Sequence, residues 1–396
     1  MFDSKYYIER DKAVMLETYD RYPVVIEKGR GATAIDVNGK KYIDFAAGIA
    51  VNALGYADKN YVNAVIKQVK KVGHICNLYY NPTNIELAER VIAATGMKRV
   101  FFANSGAEAN EGATKIARKY AADKYGPHRN VILTLNNSFH GRTITTLSAT
   151  GQESYHKHFQ PLTSGFVYPA ENTVESIAET INENVCAIMI ELIQGEGGVN
   201  LLDNDLVMGI QKLCDEHDLL LIVDEVQTGV LRTGKFLACN YFDIHPDIVT
   251  LAKGLGGGMP IGAVLANEKC EHVLSYGQHG STFGGNPIVC AGAIEVMKRT
   301  TDPQMEKDVC EKGEYIRNKI KTFKNVKNVR GLGLFIAFDL INGNSKEVSR
   351  EIAENGCLTL TAKSSMRLLP PLIISYKDID KGLEIIKKSV EARAEK

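Results

Sequence analysis

The sequence predicts an α/β fold: a large, mainly parallel sheet covered by helices, joined to a smaller α+β region. Two observations carry this. From about Arg99, short apolar runs alternate with amphipathic stretches, the pattern of parallel strands joined by crossover helices. After residue 293 that alternation gives way to glycine-spaced and β-like runs and one closing helix.

Taken in order, RVFFA (99–103) reads as a strand and GAEANEGATKIARKYAADKYG (106–126) as the helix behind it. NVILTL, CAIMIEL, LLLIVDE, IVTLA and IGAVLA read as further strands, with LVMGIQKLCDEH a helix among them. Beyond these, VRGLGLFIAFDL is a glycine-spaced run, LTLTAKSSMRLLPPLII is β-like, and a helix is expected from about Lys377. The expected division is a large domain over 53–293 and a small domain built from 294–396 with the segment 1–52. At 396 residues the chain is long enough for such a two-part core.

Lysine plus arginine and aspartate plus glutamate both number 47, so no global field favours nucleic acid or an anionic membrane. Small molecules are the expected partners. The 8 cysteines are scattered without a C-x-x-C pair, which suits a reducing compartment better than a disulfide framework or zinc ribbon. MFDSKYYIERDK is charged where a secretory signal would be apolar, and no segment is apolar enough to span a bilayer. The expectation is a cytoplasmic, non-membrane protein.

Chemistry in sheets of this kind gathers at the carboxyl ends of the strands. There stand Asn104-Ser105, Glu191, Asp224-Glu225 and Lys253. Lys253 precedes GLGGG, where a ligand or another backbone can approach closely. Desolvation would lower its pKa and make it a nucleophile toward a carbonyl; a lone lysine at a loop start is otherwise simply solvated. Asp224 ends the most apolar strand, where a carboxylate needs a cationic or protonated partner. A protonated pyridine nitrogen would serve, as pyridoxal phosphate requires. So would a helix cap or a structural ion pair.

Ser105, Gly106 and Ala107 open a helix, and their amides with the helix dipole suit a phosphate. The same letters fit an N-cap followed by the acidic first-turn Glu108. In SFHGR, Phe139 could stack on a flat ring and Arg142 could grip a carboxylate bidentately; a core ring and a surface cation are the plain alternatives. GVLRTGKF (229–236) mimics a phosphate-binding loop but has Phe236 where a magnesium-binding hydroxyl belongs and bulky Val230 and Leu231 inside, so nucleotide chemistry is not expected.

From Tyr19 to the carboxyl terminus the ordered motifs resemble the class III (ω-) aminotransferases of the pyridoxal-phosphate fold type I superfamily. They include DFAAGIAVNALG, FFANSGAEANEGATKIARKY, SFHGRT, ELIQGEGG, IVDEVQTGVLRTGKF, LAKGLGGGMPIGA, HGSTFGGNP and MRLLPPLII. Within that family the chain is most similar to the acetylornithine aminotransferase group. The resemblance implies an aspartate-aminotransferase-like fold with a seven-stranded sheet and pyridoxal 5'-phosphate as cofactor. Lys253 would bond the cofactor's aldehyde and then serve as acid and base, and Asp224 would keep the pyridine nitrogen protonated. Gln227 would bond the phenolic oxygen, Phe139 would stack on the ring, and Ser105, Gly106 and Ala107 would hold the phosphate. Thr282 would reach that phosphate from a second subunit, which implies a homodimer with shared sites.

Tyr19 and Arg142, with Ser281 nearby, would hold the α-carboxylate of N2-acetyl-L-ornithine. Arg367 would take the second carboxylate of 2-oxoglutarate, and Glu196 would pair with Arg367 until that substrate arrives. The implied reaction gives N-acetyl-L-glutamate 5-semialdehyde and L-glutamate, with N-succinyl-diaminopimelate a second implied donor. The chain departs from the family pattern at Gly55-Tyr56-Ala57-Asp58 and at Leu192. Ile49 stands where ornithine-specific relatives carry a tyrosine, which disfavours unacylated ornithine. Other readings are an ω-aminotransferase for ornithine, 4-aminobutyrate or succinylornithine, a same-fold aminomutase needing no 2-oxoglutarate, or a silent cofactor-binding protein. The last would have no need to retain Lys253, Asp224 and both arginines.

Overall fold

The computed structural model describes residues 2–394. Its main sheet has 7 strands in the spatial order Arg99–Ala103, Gly262–Ala266, Ile248–Leu251, Leu220–Asp224, Val185–Ile190, Val131–Thr134 and Phe166–Val167. All pairs from Ile248–Leu251 to the Phe166–Val167 edge are parallel. Gly262–Ala266 runs antiparallel to both neighbours. The expected mainly parallel seven-stranded sheet is thus present.

The direction of Gly262–Ala266 was not legible in its letters; it follows from its connection. Residues 252–261 contain a short 3₁₀ turn, Lys253–Gly256, instead of a crossover helix, so the chain can only return beside the strand it left. Phe166–Val167 is too short to leave a period in the sequence.

Both faces of the sheet are covered, which explains why its strands read as continuous apolar runs. Leu220–Asp224 is buried at every position. Its Leu220 and Ile222 pack with Ala113, Ile116 and Ala117 of helix Gly106–Tyr125. Its Leu221 and Val223 pack on the other side with Val207, Ile210 and Leu213 of helix Asn204–His217. Each such aliphatic side chain contributes about 1.5–3 kcal/mol of burial.

Ile26–Arg30, Thr33–Asp36 and Lys41–Asp44 form a second sheet, and Cys357–Leu358 joins its edge in parallel to Lys41–Asp44. Val326–Leu332, Phe335–Leu340, Ser365–Leu368 and Leu360–Ala362 form an antiparallel third sheet. Helix Tyr376–Glu391, capped by the Ser375 hydroxyl, closes this part with Ile379, Leu383, Ile386 and Val390 facing inward. Its start lies one residue before the expected Lys377. Among the described residues no helix is long and apolar enough to cross a membrane.

Candidate active site

The carboxyl ends of the strands converge on a cavity of about 490 Å³ lined by Ser105, Phe139, Glu191, Asp224 and Lys253, among others. The rule that placed the marked residues at strand ends therefore brings them to one place.

Lys253 follows strand Ile248–Leu251 with φ +42°, a left-handed conformation that costs a side-chain-bearing residue about 1–3 kcal/mol. The tight return to Gly262–Ala266 imposes it. Burial pulls the amine down to about 8, with Glu196 opposing the shift and Arg367 adding to it. The amine is therefore poised to gain or lose a proton near neutral pH.

Asp224, buried at the end of its strand, is held by three donors. Its Oδ2 accepts from Asn110 Nδ2 at 2.8 Å and faces His140 Nδ1 at 2.8 Å, and its Oδ1 accepts from the Val226 amide at 2.9 Å. Since a carboxylate can only accept, the His140 proton belongs on Nδ1. Asn110 Nδ2 also donates to the His140 carbonyl at 2.7 Å, locking the pair together. Neither Asn110 nor His140 was singled out in the sequence. A signal existed for Asn110: it lies one turn after Gly106, on the buried face of its helix among alanines, where a polar side chain needs a partner.

Glu191 is also buried, and its Oε2 accepts from the Phe139 amide at 2.8 Å. Burial, with the Asp224 charge adding, pushes its carboxyl well up. It thus fixes the backbone of the residue expected to stack on a ring.

Helix Gly106–Tyr125 begins at the cavity with Ser105 as its N-cap, whose hydroxyl accepts from the Glu108 amide at 3.1 Å. That leaves the Gly106 and Ala107 amides as first-turn donors beside the cavity. A Cβ at Gly106 would come within 2.7 Å of Val226, so only glycine lets the helix start this close.

Arg142 is exposed, with its guanidinium 4.4 Å from the Tyr155 ring centroid and 5.5 Å from that of Phe139. It pairs with no carboxylate among the described residues. Arg367 is buried on strand Ser365–Leu368 and donates to Glu196 Oε1 at 2.6 Å and to Gln227 Oε1 at 3.1 Å. Burial alone would raise the Glu196 carboxyl, but Arg367 outweighs it and holds Glu196 below the usual carboxylate range. Arg367 Nε is buried without a partner among the described residues, leaving a donor spare for a ligand. A Cβ at Gly195 would come within 2.6 Å of the end of the Gln227 side chain, so the QGEGG loop packs directly against Gln227 beside Glu196.

Glu196 and Arg367 adjoin the cavity through Gln227 without lining it, and Tyr19, Ser281 and Thr282 are not among its lining residues either. Tyr19 is exposed, 5.4 Å from Arg21 in a cation–π contact. The Ser281 hydroxyl bonds the Asn104 side chain at 3.2 Å and the Gly284 amide at 2.9 Å, and Thr282 is exposed. The phosphate-loop mimic GVLRTGKF is accounted for structurally: Val230 and Leu231 are buried, and Lys235 pairs with Glu306 at 2.5 Å.

The family model for aminotransferase class-III matches residues 14–390. The acetylornithine aminotransferase of Haemophilus ducreyi is 46% identical over 378 residues, covering 95% of this chain and 96% of that protein. Among solved structures, the ornithine aminotransferase of Toxoplasma gondii, with partial occupancy of pyridoxal phosphate at its active site, superposes with TM-score 0.94 at 33% identity, covering 99% of this chain and 95% of its own. The acetylornithine aminotransferase of Elizabethkingia anophelis gives TM-score 0.88 at 33% identity, covering 98% and 99%. A match spanning nearly the whole chain makes this protein a member of the class-III aminotransferase family.

Proposed function

We propose that the chain transfers the distal amino group of N2-acetyl-L-ornithine to 2-oxoglutarate, giving N-acetyl-L-glutamate 5-semialdehyde and L-glutamate, with pyridoxal 5'-phosphate as cofactor. The observation that carries this reading is the pair of arginines flanking Lys253, one free and one covered by a carboxylate. The relatives named acetylornithine aminotransferase supply the substrate.

The cavity suits the cofactor on its own terms. The amides of Gly106 and Ala107 would take the phosphate, Phe139 would cover one face of the ring, and Gln227 would bond the phenolic oxygen. When bound, the cofactor supplies an aldehyde that takes up an amino group and a ring that accepts electrons. Asp224, held in place by Asn110, His140 and the Val226 amide, would keep a proton on the ring nitrogen. Lys253, with its amine at about 8, would bond the aldehyde at rest and then serve as acid and base, taking the proton from the substrate carbon that bears the amino group.

Arg142 would take the α-carboxylate of the donor, leaving its distal amine toward Lys253. While Glu196 covers Arg367, that end presents no net cation to repel the amine. 2-Oxoglutarate brings a second carboxylate, which can replace Glu196 on Arg367.

The site would be completed in a homodimer, with Tyr19, Ser281 and Thr282 approaching from the subunit opposite or beside it. Support comes from Leu78, Tyr80 and Tyr276, large side chains that a single chain leaves almost fully exposed and that a second copy would cover. The proposed setting is the cytoplasm, with N-succinyl-diaminopimelate as a second proposed donor.

The test follows the visible absorbance of the cofactor-loaded protein. Adding N-acetylornithine should bleach the visible band, and 2-oxoglutarate should restore it. A band that ignores N-acetylornithine but answers to ornithine or 4-aminobutyrate discards the substrate. No band after adding the cofactor removes Lys253 from its role.

A further inference from the structure

Arg232 is a buried cation that the scheme above leaves idle. It follows Val230 and Leu231, which are buried with φ of +56° and +68°. Two consecutive left-handed residues with branched side chains are costly and persist only where surrounding contacts hold them. The turn aims Arg232 inward. Its Nη1 donates to the Leu334 carbonyl at 3.0 Å and to the Pro370 carbonyl at 2.6 Å, while the Leu334 amide donates to the Arg232 carbonyl at 3.1 Å.

Those two carbonyls are not arbitrary. Strands Phe335–Leu340 and Ser365–Leu368 pair with Ile336 opposite Leu368 and Ala337 opposite Arg367. Continuing that register by two residues sets Leu334 opposite Pro370. Proline has no N–H, so the ladder cannot close there by backbone bonds. The guanidinium supplies the missing donors to both carbonyls and ends the ladder three residues beyond Arg367. The same turn lies five residues after Gln227, the side chain that Arg367 contacts at 3.1 Å. One residue therefore ties the strand pair carrying Arg367 to the loop carrying Gln227.

Resting on the transaminase reading above, we propose that Arg232 is a positioning residue for the second-carboxylate site: by closing the Leu334–Pro370 end of the ladder it sets where Arg367 stands relative to Gln227 and Lys253. Burial pulls the Arg232 pKa down and the Asp44 carboxylate opposes this, so the guanidinium is kept by its geometry and not by an ion pair at hydrogen-bond distance. Arg142, at the other end of the cavity, shares none of these contacts.

The proposal separates the two substrates. In the cofactor-loaded protein, Arg232→Met should raise KM for 2-oxoglutarate about tenfold and weaken calorimetric binding of glutarate similarly, with KM for the amino donor within about twofold. Arg232→Lys, which keeps charge and one donor group, should recover part of the loss. Both KM values rising together, or a lower melting temperature with both unchanged, would make Arg232 merely structural and overturn the proposal. If Arg232→Met does not fold, Arg232→Lys decides alone: an unchanged KM for 2-oxoglutarate overturns the proposal. Wild-type protein that neither binds glutarate nor uses 2-oxoglutarate would remove the dicarboxylate reading itself, and the role of Arg232 with it.

Discussion

Arg142 lines the cavity that holds Lys253 and Arg367 acts on the same lysine from beside it, yet one is exposed and stacked on Tyr155 while the other is buried against Glu196. Arg142 sits on a loop and keeps its charge in contact with water, so it can meet a carboxylate without first giving up a partner. Arg367 sits on a strand at 3% side-chain exposure, where an unpaired guanidinium would cost several kcal/mol. An anion reaches it only in exchange for Glu196. On the proposed reaction, the contrast teaches how one site would accept a monocarboxylate with a distal amine and a dicarboxylate in turn: one arginine is open, and the other would open only to a matching charge.

The largest effect should come from the group the two ends share. Lys253→Ala should lower transamination with every donor and acceptor by about four orders of magnitude, measured as single-turnover rates in both directions. Loss confined to one substrate would mean the ends do not converge on Lys253. Next, the arginines should separate. Arg142→Ala should raise KM for N-acetylornithine, and Arg367→Ala should raise KM for 2-oxoglutarate with a much smaller change for the donor. Each lost bidentate carboxylate contact is worth about a hundredfold. Steady-state kinetics with each substrate varied would show whether the assignments are instead reversed.

Glu196→Ala should sharpen the same contrast by leaving Arg367 permanently uncovered. The ratio of activity with glutamate to activity with N-acetylornithine should rise about tenfold. An unchanged ratio would mean that Glu196 does not gate that end.

The smallest effect concerns stability without cofactor. The Lys253 amine falls from 10.5 to about 8 on folding, so below about pH 8 the folded chain holds a buried cation at a cost. As pH rises from there toward 10.5, the folded chain has released the proton while the unfolded chain still binds it, and that cost is relieved. Apo Lys253→Ala should therefore be more stable than wild type near neutral pH by about 1 kcal/mol, with the gap closing through that window. Thermal melts across pH test the sign.

The sheet was legible because its strands are buried on two faces and read as unbroken apolar runs. Polar residues at their ends then stood out as a group. What the letters concealed came from three-dimensional closure. Asn110 looks like one more helix residue until Asp224, far along the chain, is brought to it at 2.8 Å. Arg232 lies inside a motif that mimics a phosphate loop, and its partners are backbone carbonyls, which have no signature in side-chain letters. Glu191 was noticed at a strand end, but its bond to the Phe139 amide depends on how two loops meet. Tyr19 and Thr282 were placed by resemblance, and a single chain does not bring them to the cavity.

The parallel pairing of Cys357–Leu358 with Lys41–Asp44 bears on the order in which the molecule can form during synthesis. The early strand emerges from the ribosome long before its neighbour exists, and closing so long a loop delays the contact further. Phe45, whose amide bonds Leu358 O and whose carbonyl takes the Leu369 amide, has no settled place until then. Until the last strands arrive, an unpaired edge stays open to other nascent chains. The main sheet, whose strands all lie between Arg99 and Ala266, can assemble meanwhile, so Lys253 is shelved on finished structure before the strand that carries Arg367 has been made.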